Sequence, residues 1–394
     1  MNKQIFPLTL GGLGIGTTEF VIMGLLPDVA SSLSVSIPQA GYLISAYALG
    51  VVIGAPLLVG FSTKYDPKKT LMVLMGIFTL FNGLSGLAPN FGSLLALRFM
   101  SGLPHGAFFG IGAVVASQLA KEGKQAQSIA MMFLGLTVAN LAMVPLVTLI
   151  GQALSWRYAF LIVALIGAIA LYFIHIWLPA TPRSENSSVR EELKFFKTGK
   201  PWLILSITAI GFGGLFAWFS YIAPLAVNVS HFNAGFVPYI MLLAGVGMVI
   251  GNILGGIMSD KMKPEKAAIV LFVIQVSALL AVFFFSGNQF VSLTLTFLCG
   301  LLAMAVSSPI NMLMISTAKE SARMGAAFMQ AAFNIANSLG AYFGGLPLAR
   351  GLGFQYPALA GALMAMGGLA LTIWFVLKYR EPQQGQLVLS GRAA

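Results

Sequence analysis

Long apolar stretches make up most of this chain, and short segments rich in Lys, Arg and turn-forming residues separate them. A helix that crosses a membrane needs about 20 mostly apolar residues. Dividing the chain at charged and turn-forming residues yields twelve such stretches. They are 5–27, 39–62, 70–88, 94–118, 127–150, 157–179, 202–227, 236–258, 266–286, 289–316, 325–348 and 355–377. This pattern predicts an all-α integral membrane protein with twelve transmembrane helices.

The scarcity of charge excludes an ordinary soluble enzyme. Only 8% of the residues are charged, whereas a soluble domain has about 25%. The sequence contains no P-loop, no His–Glu metal pattern and no paired carboxylates within an apolar stretch. We therefore expect no enzymatic activity, no bound metal and no cofactor. The one cysteine, Cys299, lies inside an apolar stretch and is expected to be a core residue.

The positions of the basic residues predict the orientation of the chain in the membrane. Most of the 22 Lys and Arg residues lie in the amino end, in alternate loops, in a central polar segment and in the tail. The loops between them hold only Arg157 and Arg350. Because cytoplasmic loops are enriched in Lys and Arg, both termini are expected in the cytoplasm. The net charge of +11 thus reflects topology, and no nucleic-acid partner is expected.

The second half of the chain repeats the first after a shift of 197 residues. Residues 14–27 match 211–224, 50–54 match 247–251, 64–69 match 261–266, and 138–140 match 335–337. Four matches in one register are hard to obtain by chance. They predict two pseudo-symmetric six-helix bundles, at 1–180 and 201–394, joined by a cytoplasmic linker at 181–200. Transporters built from parallel repeats place their substrate between the two bundles, near the membrane midplane.

Within the linker, the segment SSVREELKFFK has a capping-box pattern from Ser188 to Glu191. A short basic helix on the membrane surface and a solvated linker both fit this segment.

Several segments resemble the major facilitator superfamily, and more closely its drug and sugar efflux branch, which includes bacterial arabinose and sugar efflux permeases. They are TEFVIMGLLPDVA, YALGVVIGAP, RFMSGLPHGAFFG, LTVANLAMVPL and SWRYAF. The resemblance covers the whole chain. It implies a proton-driven antiporter in the bacterial cytoplasmic (inner) membrane, with the proton gradient as its energy source.

The superfamily's loop pattern GxxxDRxGRK is matched in part by the second repeat, at Gly256, Asp260 and Lys261. The first repeat lacks the acidic residue but keeps positive charge at Lys64 and Lys68. The resemblance implies that these loops take part in gating.

Glu19 is a carboxylate near the middle of the first apolar stretch. It lies about 21 Å from the start of that stretch at 1.5 Å per residue. A charge at such depth costs about 2.5–3.5 kcal/mol on insertion scales, unless it faces a protein cavity or takes up a proton. Its counterpart in the second repeat is Phe216, so the acid is not part of the shared scaffold. We expect Glu19 to couple protons or substrate to transport; a static ion pair or backbone hydrogen bond is the alternative.

Arg98 and His105 lie seven residues apart on the fourth predicted helix, which places them two turns apart on one face. Arg98 is expected one turn below the outer surface, with Glu19 at a depth between the two. Arg98 could act on the Glu19 carboxylate, or its side chain could extend to the outer headgroups. His105 could relay protons or be a hydrogen-bonded packing residue.

Polar and aromatic residues inside the apolar stretches are candidates for a substrate-binding wall. Asn140 and Asn337 are repeat equivalents that either face the cavity from symmetric sides or hydrogen-bond between helices. The candidates are Tyr42, Tyr47, Asn140, Trp218, Tyr221, Gln330, Asn334 and Asn337.

The sequence therefore predicts a monomeric secondary transporter that exports a small organic molecule, sugar or drug-like, in exchange for protons. Its expected partners are that substrate, protons and the lipid bilayer. Proton symport or facilitated uptake is the alternative. A membrane receptor without transport is a third possibility, which the short linker and tail disfavour.

Overall fold

The computed structural model describes residues 3–62, 65–122, 124–180, 196–318 and 322–379. The regular secondary structure of these residues is helical throughout. Eleven helical stretches in them are long and apolar enough to cross a membrane, and α15, with 28 residues, is a further long helix. Large apolar side chains such as Val73, Leu165 and Leu363 point outward, which suits a surface that faces lipid.

The first half of the structure consists of eight α-helices. They are α1 (Phe6–Gly24), α2 (Leu26–Ser32), α3 (Ile37–Ser62), α4 (Pro67–Gly86), α5 (Phe91–Gln118), α6 (Gln125–Val138), α7 (Val144–Ala153) and α8 (Trp156–Trp177). A π-helical segment, Ala139–Met143, joins α6 to α7.

The second half also consists of eight α-helices in the described part of the chain. They are α9 (Gly199–Ser206), α10 (Gly213–Phe219), α11 (Ile222–Asn228), α12 (Val237–Lys261), α13 (Pro264–Phe285), α14 (Gln289–Ala318), α15 (Ala322–Ala349) and α16 (Tyr356–Tyr379). A π-helical segment, Ile207–Phe212, joins α9 to α10, and a 3₁₀ turn, Ala234–Phe236, precedes α12.

The predicted apolar stretches agree with these helices except where a stretch is divided. The first stretch is interrupted at Leu25, just before Pro27, and continues as α2. The seventh is divided by the π-helical segment and again at Tyr221. A π-helical turn widens the helix and disturbs its regular hydrogen bonds. Gln275 compensates by donating its side-chain Nε2 to the carbonyl oxygen of Gly211 over 3.1 Å.

Glycines reproduce the sequence repeat in the packing of both halves. In the first half, Cβ atoms at Gly50 and Gly54 of α3 would collide with backbone carbonyls of α5. In the second half, Cβ atoms at Gly247 and Gly251 of α12 would likewise collide with backbone carbonyls of α14. In return, Gly102 of α5 lies against the Tyr47 carbonyl and Gly300 of α14 against the Ala244 carbonyl. Small residues allow such close approach of membrane helices.

The two halves contact each other along two seams. Helix α3 packs against α15, and α7 with its preceding π-helical segment packs against α12. In the second seam the backbone of Asn140 lies where a Cβ on Gly245 would be.

The two ends of the helical assembly differ in charge and in packing. At one end, called here the lysine-rich end, Lys3 and Lys68 approach the end of α8 and Lys200 approaches Tyr379 of α16. At the opposite end the halves are in contact across α3 and α15. The Ser45 hydroxyl donates to the Ser338 carbonyl over 3.1 Å, and the rings of Tyr42 and Tyr342 stack at 6.5 Å.

The predicted surface helix spans residues 187–197 of the linker, and all of it except Phe196 and Lys197 falls outside the described residues. The description resumes at Phe196, whose ring packs on Trp202 and Phe328.

Replacing Gly251 with alanine should destabilise the protein. The new methyl group would meet the Leu301 carbonyl, and overpacking of this kind costs about 1–3 kcal/mol. The melting temperature in detergent measures the loss. Gly256→Ala in the same helix is the matched control, because no atom lies within 4 Å of its Cβ position. Equal melting temperatures for both variants would refute this account of the packing.

Candidate functional site

A cavity of about 410 Å³ lies between the two halves. It reaches from Glu19 and His105 in the middle of the protein toward Ile315 and Gly325, which are close to the lysine-rich ends of α14 and α15. At the opposite end the ring of Phe20 packs on Phe216 and Phe219 and covers the floor. The cavity is thus directed to the lysine-rich end.

The cavity wall is mainly apolar, with polar groups at a few points. Glu19 is the one acidic residue among the described lining residues. The aromatic and Met side chains are Phe20, Phe133, Phe212, Phe216, Phe333, Met248, Met304, Met314 and Met329. The other polar side chains are His105, Thr137, Asn140, Asn252, Ser307, Asn311, Gln330 and Asn334.

The Glu19 carboxylate is 7% exposed and borders this cavity. The side-chain Nδ2 of Asn337, in the other half, lies 3.5 Å from Glu19 Oε1, a long contact that leaves the carboxylate weakly held. The amide oxygens of Asn337 and Asn334 are buried and have no hydrogen-bond partner within the described residues. The Glu19 carboxyl group and the unpaired amide oxygens of Asn334 and Asn337 therefore lie close together next to the cavity.

Arg98 is fully buried behind Glu19. Its guanidinium donates to the Thr18 hydroxyl over 2.8 Å and to the Thr18 carbonyl over 3.1 Å. The Thr18 hydroxyl in turn donates to Asn82 Oδ1 over 2.6 Å. Arg98 also lies 4.3 Å from the centre of the Tyr47 ring, a cation–π contact. This arrangement excludes the alternative in which Arg98 extends to the headgroups.

Tyr47 connects Arg98 to the cavity. Its hydroxyl lies 3.1 Å from Nδ1 of His105, and His105 borders the cavity. In the described part of the chain no ion pair joins Arg98 to Glu19. The carboxylate is consequently not neutralised by direct contact with the guanidinium.

This buried polar cluster has no counterpart in the second half. The glycine contacts set a shift of 197 residues for α3 and α12 and 198 for α5 and α14. Thr18, Tyr47, Arg98 and His105 then correspond to Leu215, Ala244, Thr296 and Ala303, all buried. The two halves share a scaffold, but only the first carries buried charge at these positions.

The structure brings most predicted site residues into one region. Glu19, His105, Asn140, Gln330 and Asn334 border the cavity. Asn337 lies beside Glu19, and Arg98 and Tyr47 lie directly behind it. Asn140 and Asn337 are not used symmetrically, because Asn140 lines the cavity in the π-helical segment and Asn337 contacts Glu19.

Five predicted wall residues are not among the lining residues of this cavity. Tyr47 and Asn337 lie beside the Glu19 region, as described above, whereas Tyr42, Trp218 and Tyr221 lie away from it, and their role in substrate binding stays a prediction. Tyr42 is 43% exposed at the opposite end and stacks on Tyr342. Trp218 is buried against Phe219. Tyr221 donates its hydroxyl to the Ala341 carbonyl over 2.8 Å. An aromatic residue in a membrane helix can pack between helices as readily as it can face a cavity.

The predicted gating residues lie at the lysine-rich end, except that Lys64 falls outside the described residues. Lys68 donates to the carbonyl oxygen of His175 over 2.8 Å, where a cation is favoured by the carboxyl end of α8. Asp260 and Lys261 are exposed at the end of α12. The contact of Lys68 stays within the first half.

The sequence interpretation missed Thr18 and Asn82, which hold Arg98, and Asn252, Ser307 and Asn311, which line the cavity. A signal for the last two was present: Ser307 and Asn311 are four residues apart, like Gln330 and Asn334, and so share a helix face. The Phe and Met residues of the wall could not be singled out in the sequence, because the chain has 30 Phe and 19 Met and most of them lie elsewhere.

Among the described residues, each half contains six helical stretches of membrane length when the parts on either side of a π-helical segment are counted as one and α15 is included. Two such halves around a central cavity are the architecture of a membrane transporter rather than of an enzyme. The sequence model of the Major Facilitator Superfamily matches residues 8–341. The chain belongs to this superfamily and is a multi-pass membrane transporter.

Related proteins span nearly the whole chain. AraJ of Escherichia coli (strain K12), named as a transporter, is 40% identical over 97% of both chains. The inner membrane transport protein YdhP of the same organism is 37% identical over 97% of this chain and 98% of its own length. A protein of Helicobacter acinonychis (strain Sheeba), named as a sugar efflux transporter, is 28% identical over 94% of each.

Solved structures share the fold at low sequence identity. A bacterial homologue of the lysosomal transporter Spinster, in an inward-facing occupied conformation, has a TM-score of 0.77 and 16% identity, covering 96% of this chain and 98% of its own. A D-xylose–proton symporter has a TM-score of 0.74 and 16% identity, covering 95% and 96%.

Removing the hydroxyl group of Thr18 by Thr18→Val should destabilise the protein. Arg98 would lose one acceptor and Asn82 one donor, and a buried polar group without its partner costs about 1–3 kcal/mol. Thermal unfolding in detergent measures the change. Thr17→Val is the matched control: Thr17 is equally buried, but its hydroxyl bonds only within its own helix, to Leu13. If Thr17→Val lowered the melting temperature as much as Thr18→Val, the Thr18 hydroxyl would have no special role in holding the cluster together.

Proposed function

We propose that this transporter exports a small organic molecule in exchange for protons, and that Glu19 is where proton and substrate meet. The supporting observation is that Glu19 is the acidic residue on the described cavity wall, weakly held by Asn337 and backed by buried Arg98. Protons, supplied by the transmembrane gradient, require a group that can take them up and release them. A carboxyl group that borders an open cavity meets this requirement.

Alternating access would proceed by rocking of residues 1–180 against 201–394. We take the lysine-rich end as cytoplasmic from the distribution of Lys and Arg. The cavity then opens to the cytoplasm, and the contacts between α3 and α15 form the outer closure. In the opposite state these contacts would separate and the lysine-rich ends would approach each other.

Proton release would accompany substrate binding. Arg98 and its hydrogen bonds to Thr18 stay buried on one side of Glu19, while Asn337 belongs to the other half. Rocking of the halves would move Asn337 away from Glu19 but leave Arg98 in place. The protonation state of Glu19 would thereby be linked to the side of the membrane to which the cavity opens.

Export is favoured over uptake by the names of the related proteins, which include sugar efflux transporters. Proton symport is the second candidate, because the same residues would serve it.

The wall chemistry favours a ligand with an apolar or aromatic body and one cationic or hydroxyl group. Five Phe and four Met side chains border the cavity beside one carboxylate. A sugar could use the amides of Asn252, Asn311 and Asn334, whereas an aromatic cation could also stack on the Phe rings and pair with Glu19.

Replacing Glu19 with glutamine should abolish proton-driven transport, since an amide keeps the size of the side chain but cannot release a proton. Proteoliposomes with an imposed pH gradient, given ethidium and a labelled pentose as probes, measure both rate and direction. Net flux should fall to background in Glu19→Gln while the protein remains folded.

Asp28→Asn serves as the control, because Asp28 lies in α2 beyond the cavity floor and its loss should leave the flux unchanged. Unaltered pH-driven flux in Glu19→Gln would refute the proposal. Probe movement along the inward proton gradient, instead of against it, would establish symport.

Replacing Asn334 with alanine should weaken binding of the transported probe. Asn334 lines the cavity, and its amide oxygen is buried without a hydrogen-bond partner among the described residues, so a ligand that bonds to this side chain would lose about 0.5–1.5 kcal/mol. The apparent KM for the probe should rise severalfold, whereas Trp218→Phe, which lies off the cavity, should not change it. A rise in KM in Trp218→Phe alone would contradict the assigned wall.

A further inference from the structure

A second, separate cavity lies on the seam between α3 and α15. It has a volume of about 420 Å³ and is bounded by α3, the α9 region and α15. We call it the seam groove, and its lining residues include Pro56, Trp202, Ser206, Ala209, Phe328 and Ala331. None of these side chains carries a charge.

The groove is formed by the divergence of two helices. Helices α3 and α15 touch at Ser45 and Ser338 toward the opposite end. Toward the lysine-rich end they separate, and Pro56 and Phe328 become facing walls of the groove. The groove is therefore a property of the state in which the lysine-rich end is open.

The mouth of the groove faces the surroundings of the protein. Trp202 on its rim is 53% exposed and Pro56 is exposed as well. Both lie within helical stretches long enough to cross a membrane. The outer side of such stretches is bathed by lipid chains, so an apolar groove that opens there is accessible to them.

Among the described residues the groove offers a small polar ligand little to bind. Ser206 carries the one side-chain hydroxyl on the described wall, and this hydroxyl already donates to the Trp202 carbonyl over 2.9 Å. The indole Nε1 of Trp202 donates to the Phe196 carbonyl over 2.8 Å. The occupant must accordingly be a chain without polar groups.

Positive charge lies beside the groove at the membrane surface. Lys197 follows Phe196, whose ring packs on the groove residues Trp202 and Phe328. Lys197 is exposed, whereas Lys200 places its Nζ over the rings of Phe375 and Tyr379 on α16, away from the groove. Lysines just outside a membrane-spanning segment attract anionic lipid headgroups.

We propose that the seam groove binds one acyl chain of an anionic membrane phospholipid, whose headgroup lies against Lys197. Apolar walls, a lipid-facing mouth and an exposed lysine next to Phe196 together match the two chemical parts of such a lipid.

Helix α15 separates this site from the central cavity. Ala331 and Ile335 face the groove, whereas Gln330, Phe333 and Asn334 face the cavity. If the halves rock as proposed above, closing the lysine-rich end would expel the chain. Lipid in the groove would then favour the state open to that end; this consequence rests on the proposed function, but the binding site does not.

Native mass spectrometry of the full chain tests the site. The protein is reconstituted with an equimolar mixture of phosphatidylglycerol and phosphatidylcholine and released from mild detergent. The wild type should retain one phosphatidylglycerol. Ala331→Phe, which fills the groove, should lose it, and Ala209→Phe should do so independently. Ala370→Phe on the exposed face of α16 is the matched control and should retain it.

The variant Lys197→Gln should still retain a lipid but without preference for phosphatidylglycerol. Size-exclusion chromatography confirms that each variant is folded. Equal lipid retention in both groove variants and in Ala370→Phe would overturn the proposal, as would detergent instead of lipid as the retained molecule. Because no transport is measured, these outcomes do not depend on proton coupling.

Discussion

The buried contact between Arg98 and Thr18 is the interaction on which the remaining site depends. A guanidinium taken out of water is costly unless its donors are satisfied. Here the Thr18 hydroxyl and carbonyl accept from the two terminal nitrogens and the face of Tyr47 covers the guanidinium, while Arg98 Nε is buried without a hydrogen-bond partner among the described residues. Because Thr18 precedes Glu19 on α1, the contact that holds Arg98 also fixes where the carboxylate enters the cavity. Positive charge and acid are kept in the same half without an ion pair between them.

The glycine contacts occur in both halves and form the scaffold. The buried polar cluster occurs only in the first half and supplies the charged groups of the site. Gly102 and Gly300 serve both halves alike, since each allows close packing of two long helices. Arg98 and Tyr47 have Thr296 and Ala244 as counterparts, so the described part of the second half contributes amides and apolar surface but no buried charge. Asn337 is the point at which the two contributions meet. The proposed coupling follows from this asymmetry, because only relative motion of the halves changes the surroundings of Glu19.

The helices and the superfamily could be predicted from the sequence, because apolar stretches of membrane length and a repeat in one register are local, countable signals. The position of Glu19 on the cavity could also be predicted, since a lone acid in an apolar stretch has few other places to go. The positions of Tyr42, Trp218 and Tyr221 could not. Which face of a helix points to the cavity depends on packing against the other half. The Tyr221 hydroxyl, for example, donates a hydrogen bond to the Ala341 carbonyl instead of facing the cavity. The burial of Arg98 likewise depended on Thr18 and Asn82, whose proximity no linear pattern reveals.

The central claim is that the protonation of Glu19 controls which end of the transporter is open. Double electron–electron resonance between spin labels at Tyr65→Cys and Lys263→Cys measures it most directly. Both positions are exposed, one in each half at the lysine-rich end, while the native Cys299 is buried. The account predicts that the distance distribution shifts with pH when Glu19 is present and becomes independent of pH in Glu19→Gln. The same pH-dependent shift in Glu19→Gln would contradict it.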